Sequence, residues 1–292
     1  MHRVLAPAAV LACLLGPWAQ AQTFESQVES VRARATASFS LFNPVHPTTA
    51  DQRRRALALT FLFENEQPYC LYDYVQDLND GRGYTAGCIG FNVRSGTVRD
   101  VIERYTKLRP VNALSTYTHN IYLLESVPEI DHQTLDAMLP NFVMAWQTVA
   151  RSDALFRQAQ DQAVNEGFAA SVREADALGI RSALGRAIIY DTSVQHGGED
   201  AGQPDPDSLP PMARKATAAL GGGPLAVGEK RWLTRFLKER RKILSNPNDP
   251  NTKGAWATSV DRVDTFLMLL KQGNMDLHGP LDTRPYFDAV IP

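Results

Sequence analysis

Two carboxylates in the first third of the chain have the spacing that acid–base chemistry needs. Glu64 ends an apolar stretch with helical spacing, and Asp80 opens the glycine-rich turn DGRG at residues 80–83. A glycosidase uses one carboxyl group as an acid and a second one as a base or a nucleophile, on opposite sides of the bond that breaks. The pair therefore predicts an enzyme that hydrolyses a glycosidic bond, with its two carboxylates on separate elements.

The surroundings of the two carboxylates assign their roles. The residues before Glu64 are rich in Leu and Phe, and an apolar surrounding disfavours the charged form of a carboxyl group. Asp80 has Arg82 two positions away, which favours the charged form. We therefore expect Glu64 to be the general acid and Asp80 the general base. The alternatives are that Asn-Asp-Gly is only a turn sequence and that Glu64 only ends a helix.

Acidic residues are concentrated around this pair. Arg82 is the only Lys or Arg between positions 56 and 87, and the same segment has four tyrosines. Its five acids are Glu64, Glu66, Asp73, Asp77 and Asp80. A local excess of negative charge attracts cations, and flat tyrosine rings suit sugar faces. The segment favours a cleft for a cationic polymer, with a plain solvated surface as the alternative.

The first residues predict export from the cell. A basic start precedes an apolar run at residues 4–15, and residues 19–21 (AQA) have the small-residue pattern of a signal cleavage site. The run is shorter than the ~18 residues of a membrane-spanning helix. We expect a signal peptide at residues 1–21, a secreted protein and no membrane association after cleavage. Lipidation at Cys13 is the alternative.

The remaining chemistry of the sequence is sparse. Cys70 and Cys88 lie on either side of the acidic turn, where they form either a disulfide or two buried free thiols. The six histidines have no metal-binding spacing, and no phosphate loop or nucleophile elbow is present. We expect no metal and no cofactor. The 32 acidic against 30 basic residues also argue against a nucleic-acid partner.

Helical spacing dominates the rest of the chain. Helices are predicted at residues 53–63, 97–108, 153–168, 171–196, 229–244 and 258–272. Turns and a small sheet are predicted at residues 69–75 and 84–91, and loops at residues 197–211 and 245–254. Threonines before the first helix can cap it, and Gly273 can cap the last one. We expect a lead-in at residues 22–50 and a single catalytic domain at residues 51–292.

Several motifs along the chain match one known family. They are Glu64-Asn65, YDY at 72–74, DLNDGRGYTAG at 77–87, IGF at 89–91, FRQAQ at 156–160, IYD at 189–191 with His196-Gly197, FL at 236–237 with Arg240, and GNMDL at 273–277. In these motifs the chain resembles the family 46 chitosanases. The resemblance covers most of the chain from about residue 52 onwards, and the DGRGYTAG block is long and specific.

The resemblance implies an activity and a set of site residues. It implies endo-hydrolysis of chitosan, a β-1,4-linked glucosamine polymer, with inversion at the anomeric carbon. The implied fold is mainly α (α+β), lysozyme-like and two-lobed, with a small antiparallel β-sheet and a cleft between the lobes. The implied catalytic residues are Glu64 as acid, Asp80 as base and Thr85 as the residue that holds the attacking water. The implied sugar-binding residues are Asn65, Tyr74, Arg82, His196 and Gly197.

Asp191 is expected to support the site without touching sugar. It lies among apolar residues, and an unpaired interior charge is costly. The family pairs an aspartate at this position with two arginines behind the acid. Arg240 matches one of them, and Arg231 and Arg235 are the candidates for the second.

Several of the expected sugar-binding residues have alternative interpretations. The acidic sugar-binding residue that the family has after IGF corresponds to Thr97 here, with Asp100 nearby. Tyr74 can be a core residue, Arg82 a partner of Asp80 alone, and His196 a helix cap. We expect a monomer. Two alternative interpretations of the sequence are a muramidase-like hydrolase of peptidoglycan and a non-catalytic chitosan-binding protein.

Overall fold

The computed structural model describes residues 47–197, 205–248 and 253–292. The expected signal peptide and residues 22–46 of the lead-in lie outside the described residues. Residues Thr48–Pro292 form one compact unit. No helix among the described residues is both long and apolar enough to cross a membrane.

This unit is mainly helical. Its helices are α1 (Ala50–Asn65), α2 (Thr97–Leu108), α3 (Thr118–Leu124), α4 (His132–Met138), α5 (Phe142–Ser152), α6 (Ala154–Leu178), α7 (Ala183–His196), α8 (Leu209–Leu220), α9 (Pro224–Val227), α10 (Glu229–Ser245), α11 (Lys253–Ala257) and α12 (Val260–Gln272), with a 3₁₀ turn at Ser115–Tyr117. Its strands are β1 (Val75–Asp77), β2 (Tyr84–Ala86), β3 (Phe91–Asn92), β4 (Leu281–Asp282) and β5 (Val290–Ile291).

Helix α1 begins at the predicted threonine cap and ends just after Glu64. The backbone N–H of Gln52 donates to the Thr49 hydroxyl at 3.2 Å, and the Gln52 side chain accepts from the Thr49 N–H at 2.9 Å. This capping box satisfies two donors that a helix start leaves free. At the other end, Glu66 takes a left-handed conformation with φ 58°. The carboxyl group of Glu64 therefore lies in the last turn of α1.

A three-stranded antiparallel sheet in the order β1-β2-β3 carries the Asp80 turn. The turn joins β1 to β2, whose register pairs Gln76 with Thr85, and Thr85 in turn pairs with Asn92 of β3. Thr85 thus lies at the centre of the sheet. The small antiparallel sheet predicted for this part of the chain is confirmed, and β4 pairs with β5 in a second sheet that the sequence did not predict.

Two hydrophobic cores define two lobes. The helical lobe is built around Leu59, Ile188, Phe236 and Phe266, which are fully buried or nearly so. The sheet lobe is built around residues of β2, β3, α2 and α5, among them Phe91 and Trp146. Helix α6 contributes to both, because Phe156 belongs to the sheet lobe and Phe168 to the helical lobe. The predicted two-lobed, mainly α fold is confirmed.

Some predicted helix boundaries are right, and the predicted break between α6 and α7 is misplaced. Helix α2 has the predicted bounds, and Gly273 ends α12 in a left-handed conformation with φ 79°. The predicted break between residues 168 and 171 is wrong, because α6 continues to Leu178. The chain breaks instead at Gly179, with φ 90°, and Ser182 caps α7. The sequence did not predict helices α3, α4, α5, α8, α9 and α11.

Candidate active site

A buried arginine holds the carboxylate of Glu64. Arg262 of α12 donates from Nη2 to Glu64 Oε1 at 2.7 Å, and the Glu64 side chain is 23% exposed. The Arg262 guanidinium also lies over the ring of Phe63, 5.5 Å from its centroid. The nearest polar neighbour of Glu64 is therefore a cation, and the purely apolar wall expected from the Leu- and Phe-rich helix is not what surrounds it.

Asp191 of α7 joins two arginines behind Glu64. Arg262 donates to Asp191 Oδ1 at 2.8 Å, and Arg240 of α10 donates to Asp191 Oδ2 at 2.7 Å. Arg240 also donates to the side chain of Gln195 at 2.7 Å. Asp191 and Arg240 are completely buried. Buried ions need such partners, because leaving one of them uncompensated costs several kcal/mol.

The charges in this cluster set one another's protonation. Burial would raise the pKa of Asp191, but Arg262 and Arg240 outweigh it and hold that pKa below its ordinary value. Burial lowers the pKa of Arg240 to about 10, which still leaves it cationic near neutral pH. Burial would also lower the pKa of Arg262, but the charges of Asp191 and Glu64 raise it. Arg262 differs from Arg240 because it contacts two carboxylates.

The second arginine of this cluster is Arg262, and the candidates Arg231 and Arg235 are wrong. Arg235 pairs with Glu239 one turn further along α10 at 2.5 Å, and Arg231 is exposed. Arg262 carried a signal in the sequence that we missed. It precedes the buried residues Phe266 and Leu269 by four and seven positions on α12, which places a charge on an apolar face and indicates a buried ion pair.

Arg82 holds the carboxylate of Asp80. The backbone N–H of Arg82 donates to Asp80 Oδ1 at 3.1 Å, and its guanidinium donates to Oδ2 from Nε at 2.9 Å and from Nη2 at 2.5 Å. The Asp80 side chain is 26% exposed and that of Arg82 56% exposed. These hydrogen bonds fix the orientation of the Asp80 carboxylate in the turn.

Thr85, Asn65 and Tyr74 all lie where the end of α1 meets the sheet. Asn65 donates to the backbone carbonyl of Cys88 at 3.0 Å. The Tyr74 hydroxyl donates to Gln76 at 3.0 Å, and burial together with the nearby charge of Glu64 raises the pKa of Tyr74. Thr85 is half-buried at the centre of the sheet. The structure therefore brings these three residues together around the sheet that carries Asp80.

A disulfide fixes the same region. Cys70 and Cys88 are bonded, with their Cα atoms 4.5 Å apart, which decides between the two alternatives left open by the sequence. Gln160 of α6 accepts from the backbone N–H of Cys88 at 3.3 Å and donates to the carbonyl of Tyr72 at 3.0 Å. The bond encloses β1, the Asp80 turn and β2 in one covalent loop.

His196 and Gly197 lie at the end of α7. Only 6% of His196 is exposed, and its ring packs edge-on against Trp256 with 4.6 Å between centroids. Burial and then the charges of Arg240 and Arg262 hold the pKa of His196 well below its ordinary value. Gly197 ends the helix with φ 68°, a conformation that favours glycine. His196 is therefore a buried neutral side chain, and its expected contact with sugar stays a prediction.

A cavity of about 1070 Å³ lies between the sheet with α2 on one side and α6 with α7 on the other. Its lining includes Arg82, Asn92, Asp100, Gly167 and Tyr190. Of the residues expected to bind sugar, Arg82 and Asp100 are in that lining, so the cavity adjoins the Asp80 turn. Thr97 also lines it, but its hydroxyl already accepts the backbone N–H of Asn92 at 2.7 Å.

The distant arginines Arg262 and Arg151 offset part of the acidic excess seen in the sequence. Four of the five acids between residues 56 and 87 contact a basic side chain. The contacts are Glu64 with Arg262 at 2.7 Å, Asp73 with Arg151 at 2.8 Å, Asp77 with His132 at 3.2 Å, and Asp80 with Arg82 at 2.5 Å. Because Arg262 and Arg151 lie outside this segment, its negative potential is weaker than its sequence predicts. Among the described residues, no group of acids, histidines or cysteines has the arrangement of a metal site.

Comparison with known proteins agrees with this fold. The sequence profile of glycosyl hydrolase family 46 matches residues 58–281. A chitosanase of Bacillus subtilis (strain 168) is 38% identical over 237 residues, which are 80% of this chain and 82% of that protein. The fold and the matched segment together define a glycoside hydrolase. The chain belongs to glycosyl hydrolase family 46.

Solved structures show the same similarity. A mutant chitosanase from Bacillus subtilis MY002, complexed with 6 GlcN, has a TM-score of 0.76 and 36% identity, and the match covers 84% of this chain and 100% of that one. A Gynuella sunshinyii GH46 chitosanase in complex with chitotetraose also has a TM-score of 0.76, with 35% identity over 84% of this chain and 99% of that one. This chain therefore has the lysozyme-like fold of these enzymes.

Proposed function

We propose that this protein is a secreted endo-chitosanase that hydrolyses β-1,4-glucosamine linkages of chitosan with inversion at the anomeric carbon. The observation that carries the proposal is that one frame positions both carboxylates. The turn with Asp80 joins two strands of the sheet, and Asn65, next to Glu64, donates to the segment that follows β2 at 3.0 Å. The similarity to chitosanases whose structures contain glucosamine oligomers supports the choice of substrate.

Glu64 is the general acid in this mechanism. It gives its proton to the oxygen of the departing sugar, which then leaves as a neutral alcohol. Arg262 must share its charge between Glu64 and Asp191, at 2.7 Å and 2.8 Å. Arg262 is thus fixed by Asp191, and it keeps the Glu64 side chain in one position between turnovers.

Asp80 is the general base. Its carboxylate takes a proton from a water molecule, and the oxygen of that water attacks the anomeric carbon from the face opposite the departing sugar. Thr85 lies on the strand that follows the turn and holds this water. The Arg82 side chain fixes the orientation of the Asp80 carboxylate, because it donates to one of its oxygens from two nitrogens.

The test is the release of reducing ends from well-deacetylated chitosan by wild type, Glu64→Gln and Asp80→Asn. Loss of a group that transfers a proton typically lowers the rate about 10²- to 10⁴-fold. Both variants keep the shape of the side chain, so circular dichroism should be unchanged. Full activity in either variant removes that residue from the mechanism.

The same assay decides between substrates. Wild type is given chitosan and, separately, bacterial peptidoglycan, and we expect turnover of chitosan alone. Turnover of peptidoglycan with no action on chitosan would favour the muramidase. Retention on chitosan beads without any soluble product would favour a non-catalytic binding protein.

Secretion is tested on the full-length chain expressed with its first 21 residues. We expect the mature protein in the culture medium with Gln22 as its first residue. A protein that stays in the cell, or that carries an intact N-terminus, would contradict export through a cleaved signal peptide.

A further inference from the structure

The contacts of Asp77 assign it a role that the motifs alone do not give. We propose that Asp77, supported by His132, is a positioning residue for the general base, and that it sets the conformation of the turn that carries Asp80. This inference rests on the proposed function of Asp80.

Asp77 is the last residue of β1, and its carboxylate holds the start of the turn. Its Oδ1 accepts the backbone N–H of Asn79 at 2.9 Å. Asn79 has a left-handed conformation, with φ 53°, which is uncommon for a residue other than glycine. A side-chain oxygen that accepts an N–H two positions later stabilises such a turn. Asp77 therefore fixes the backbone immediately before Asp80.

The other oxygen of Asp77 contacts a second element. Asp77 Oδ2 lies 3.2 Å from His132 Nδ1 on α4, and His132 Nε2 lies 3.5 Å from Asp136 Oδ2 one turn further along that helix. His132 thus sits between two carboxylates. The imidazole ring ties the end of β1 to α4 and restricts the rotation of the Asp77 side chain.

The backbone joins the same two elements at the turn itself. The N–H of Ile130 donates to the carbonyl of Gly81 at 2.9 Å, and Arg82 pairs with Ile130 in an isolated bridge. The segment before α4 therefore holds the residue after Asp80, while Asp77 and His132 hold the residue before it. Asp80 lies between two fixed points.

Asp77 acts through Asp80 and has no access of its own to the reaction. Its side chain is only 10% exposed, against 26% for Asp80. Both of its oxygens are in contact with protein groups, Asn79 on one side and His132 on the other. A carboxylate in this environment does not exchange protons with a substrate water, and its contribution is the geometry of its neighbour.

The experiment measures kcat and KM on chitosan for Asp77→Ala, Asp77→Asn and His132→Ala. Displacement of a catalytic group by about 1 Å can lower a rate about 10²-fold. We expect Asp77→Ala to lower kcat by up to that factor with little change in KM. Asp77→Asn should restore part of kcat, because its side-chain oxygen can still accept the Asn79 N–H. His132→Ala should give a smaller loss in the same direction.

A matched histidine and a double variant make the test specific. His278→Ala removes another exposed histidine beside an aspartate, Asp276, at 3.9 Å, and should leave kcat unchanged. In the Asp80→Asn background, Asp77→Ala should cause no further loss, because the residue that it positions is already inactive. The single variant Asp80→Asn tests the proposed function. An error in the proposed function can therefore be distinguished from an error in the inference about Asp77.

Three results would overturn the inference. The first is an unchanged kcat in Asp77→Ala, whatever happens to its melting temperature. The second is the same fractional loss in the wild-type and Asp80→Asn backgrounds, which would show that Asp77 does not act through the base. If Asp77→Ala does not fold, the test uses Asp77→Asn and His132→Ala, because the His132 side chain is 65% exposed. The third result is an unchanged kcat in both of these variants.

Discussion

The two carboxylates of the site are held in opposite ways. Asp80 receives its hydrogen bonds from Arg82, two positions away in an exposed turn. Glu64 receives its hydrogen bond from Arg262, 198 positions later, which is buried and also bound to Asp191. The direct hydrogen bonds of the base come from a short segment, whereas that of the acid depends on three helices of the helical lobe packing correctly around it.

Because of this difference, the surroundings of Glu64 and those of Asp80 should contribute differently to stability and to activity. An exposed ion pair between neighbours in the sequence adds little to stability, because water and salt screen it. A buried charge that loses its partner is strongly destabilising. Changes near Glu64 should therefore affect folding and catalysis together, and changes near Asp80 should affect mainly catalysis.

The largest effect is expected from Asp191→Asn. The change leaves two buried arginines with one fewer negative charge, and we expect the free energy of unfolding to fall by about 3–5 kcal/mol. Urea denaturation measures it. Asp264→Asn is the control, because its partner Arg241 is 46% exposed, and its loss should be below about 1 kcal/mol. Equal losses in both variants would contradict the contrast between buried and exposed ion pairs.

The disulfide gives the Asp80 region a covalent support that the Glu64 region lacks. Cys70 and Cys88 are 18 positions apart, and a bond that closes a loop of about this length stabilises by roughly 3 kcal/mol. Urea unfolding of Cys70→Ala/Cys88→Ala should show that loss, and reduced wild type should match the double variant. A midpoint that is insensitive to reductant would mean that the bond is absent in solution.

The buried His196 should make the stability of the helical lobe depend on pH. The pKa of His196 lies well below its ordinary value of 6.5, so the unfolded chain binds a proton that the folded chain excludes. The free energy of unfolding should decrease as the pH falls below about 6.5, by up to about 1.4 kcal/mol per pH unit. His196→Gln should flatten this slope between about pH 6.5 and 5. His278→Gln, whose parent side chain is 84% exposed, should keep it.

The smallest change in stability is expected from Arg82→Met. Its pair with Asp80 is exposed, so the free energy of unfolding should change by less than about 1 kcal/mol. The value of kcat/KM should fall about tenfold, because the free energy that corresponds to this loss is close to that of one hydrogen bond to a charged group. A loss of stability as large as that of Asp191→Asn would show that the turn is part of the folding core.

The same contrast decides what the sequence could predict. Asp80, Arg82 and Thr85 lie within one short block, so their local contacts follow from the order of the residues. The threonine cap of α1 and the glycine cap of α12 were predicted for the same reason. The spacing on α12 can indicate that Arg262 is buried, but it cannot name Glu64 as its partner, because that contact depends on the packing of α1, α7 and α12. Asp77 was counted only as a charge, because its partner His132 is 55 positions away.

The most direct measurement is proton NMR of the first product released from chitosan, before the two anomers equilibrate. An acid and a base on opposite faces of a β-1,4 linkage produce the α-anomer. We expect the α-anomer signal to rise first in wild type and to be lost in both Glu64→Gln and Asp80→Asn. Initial formation of the β-anomer would contradict the account, because it requires a carboxylate to attack the sugar directly.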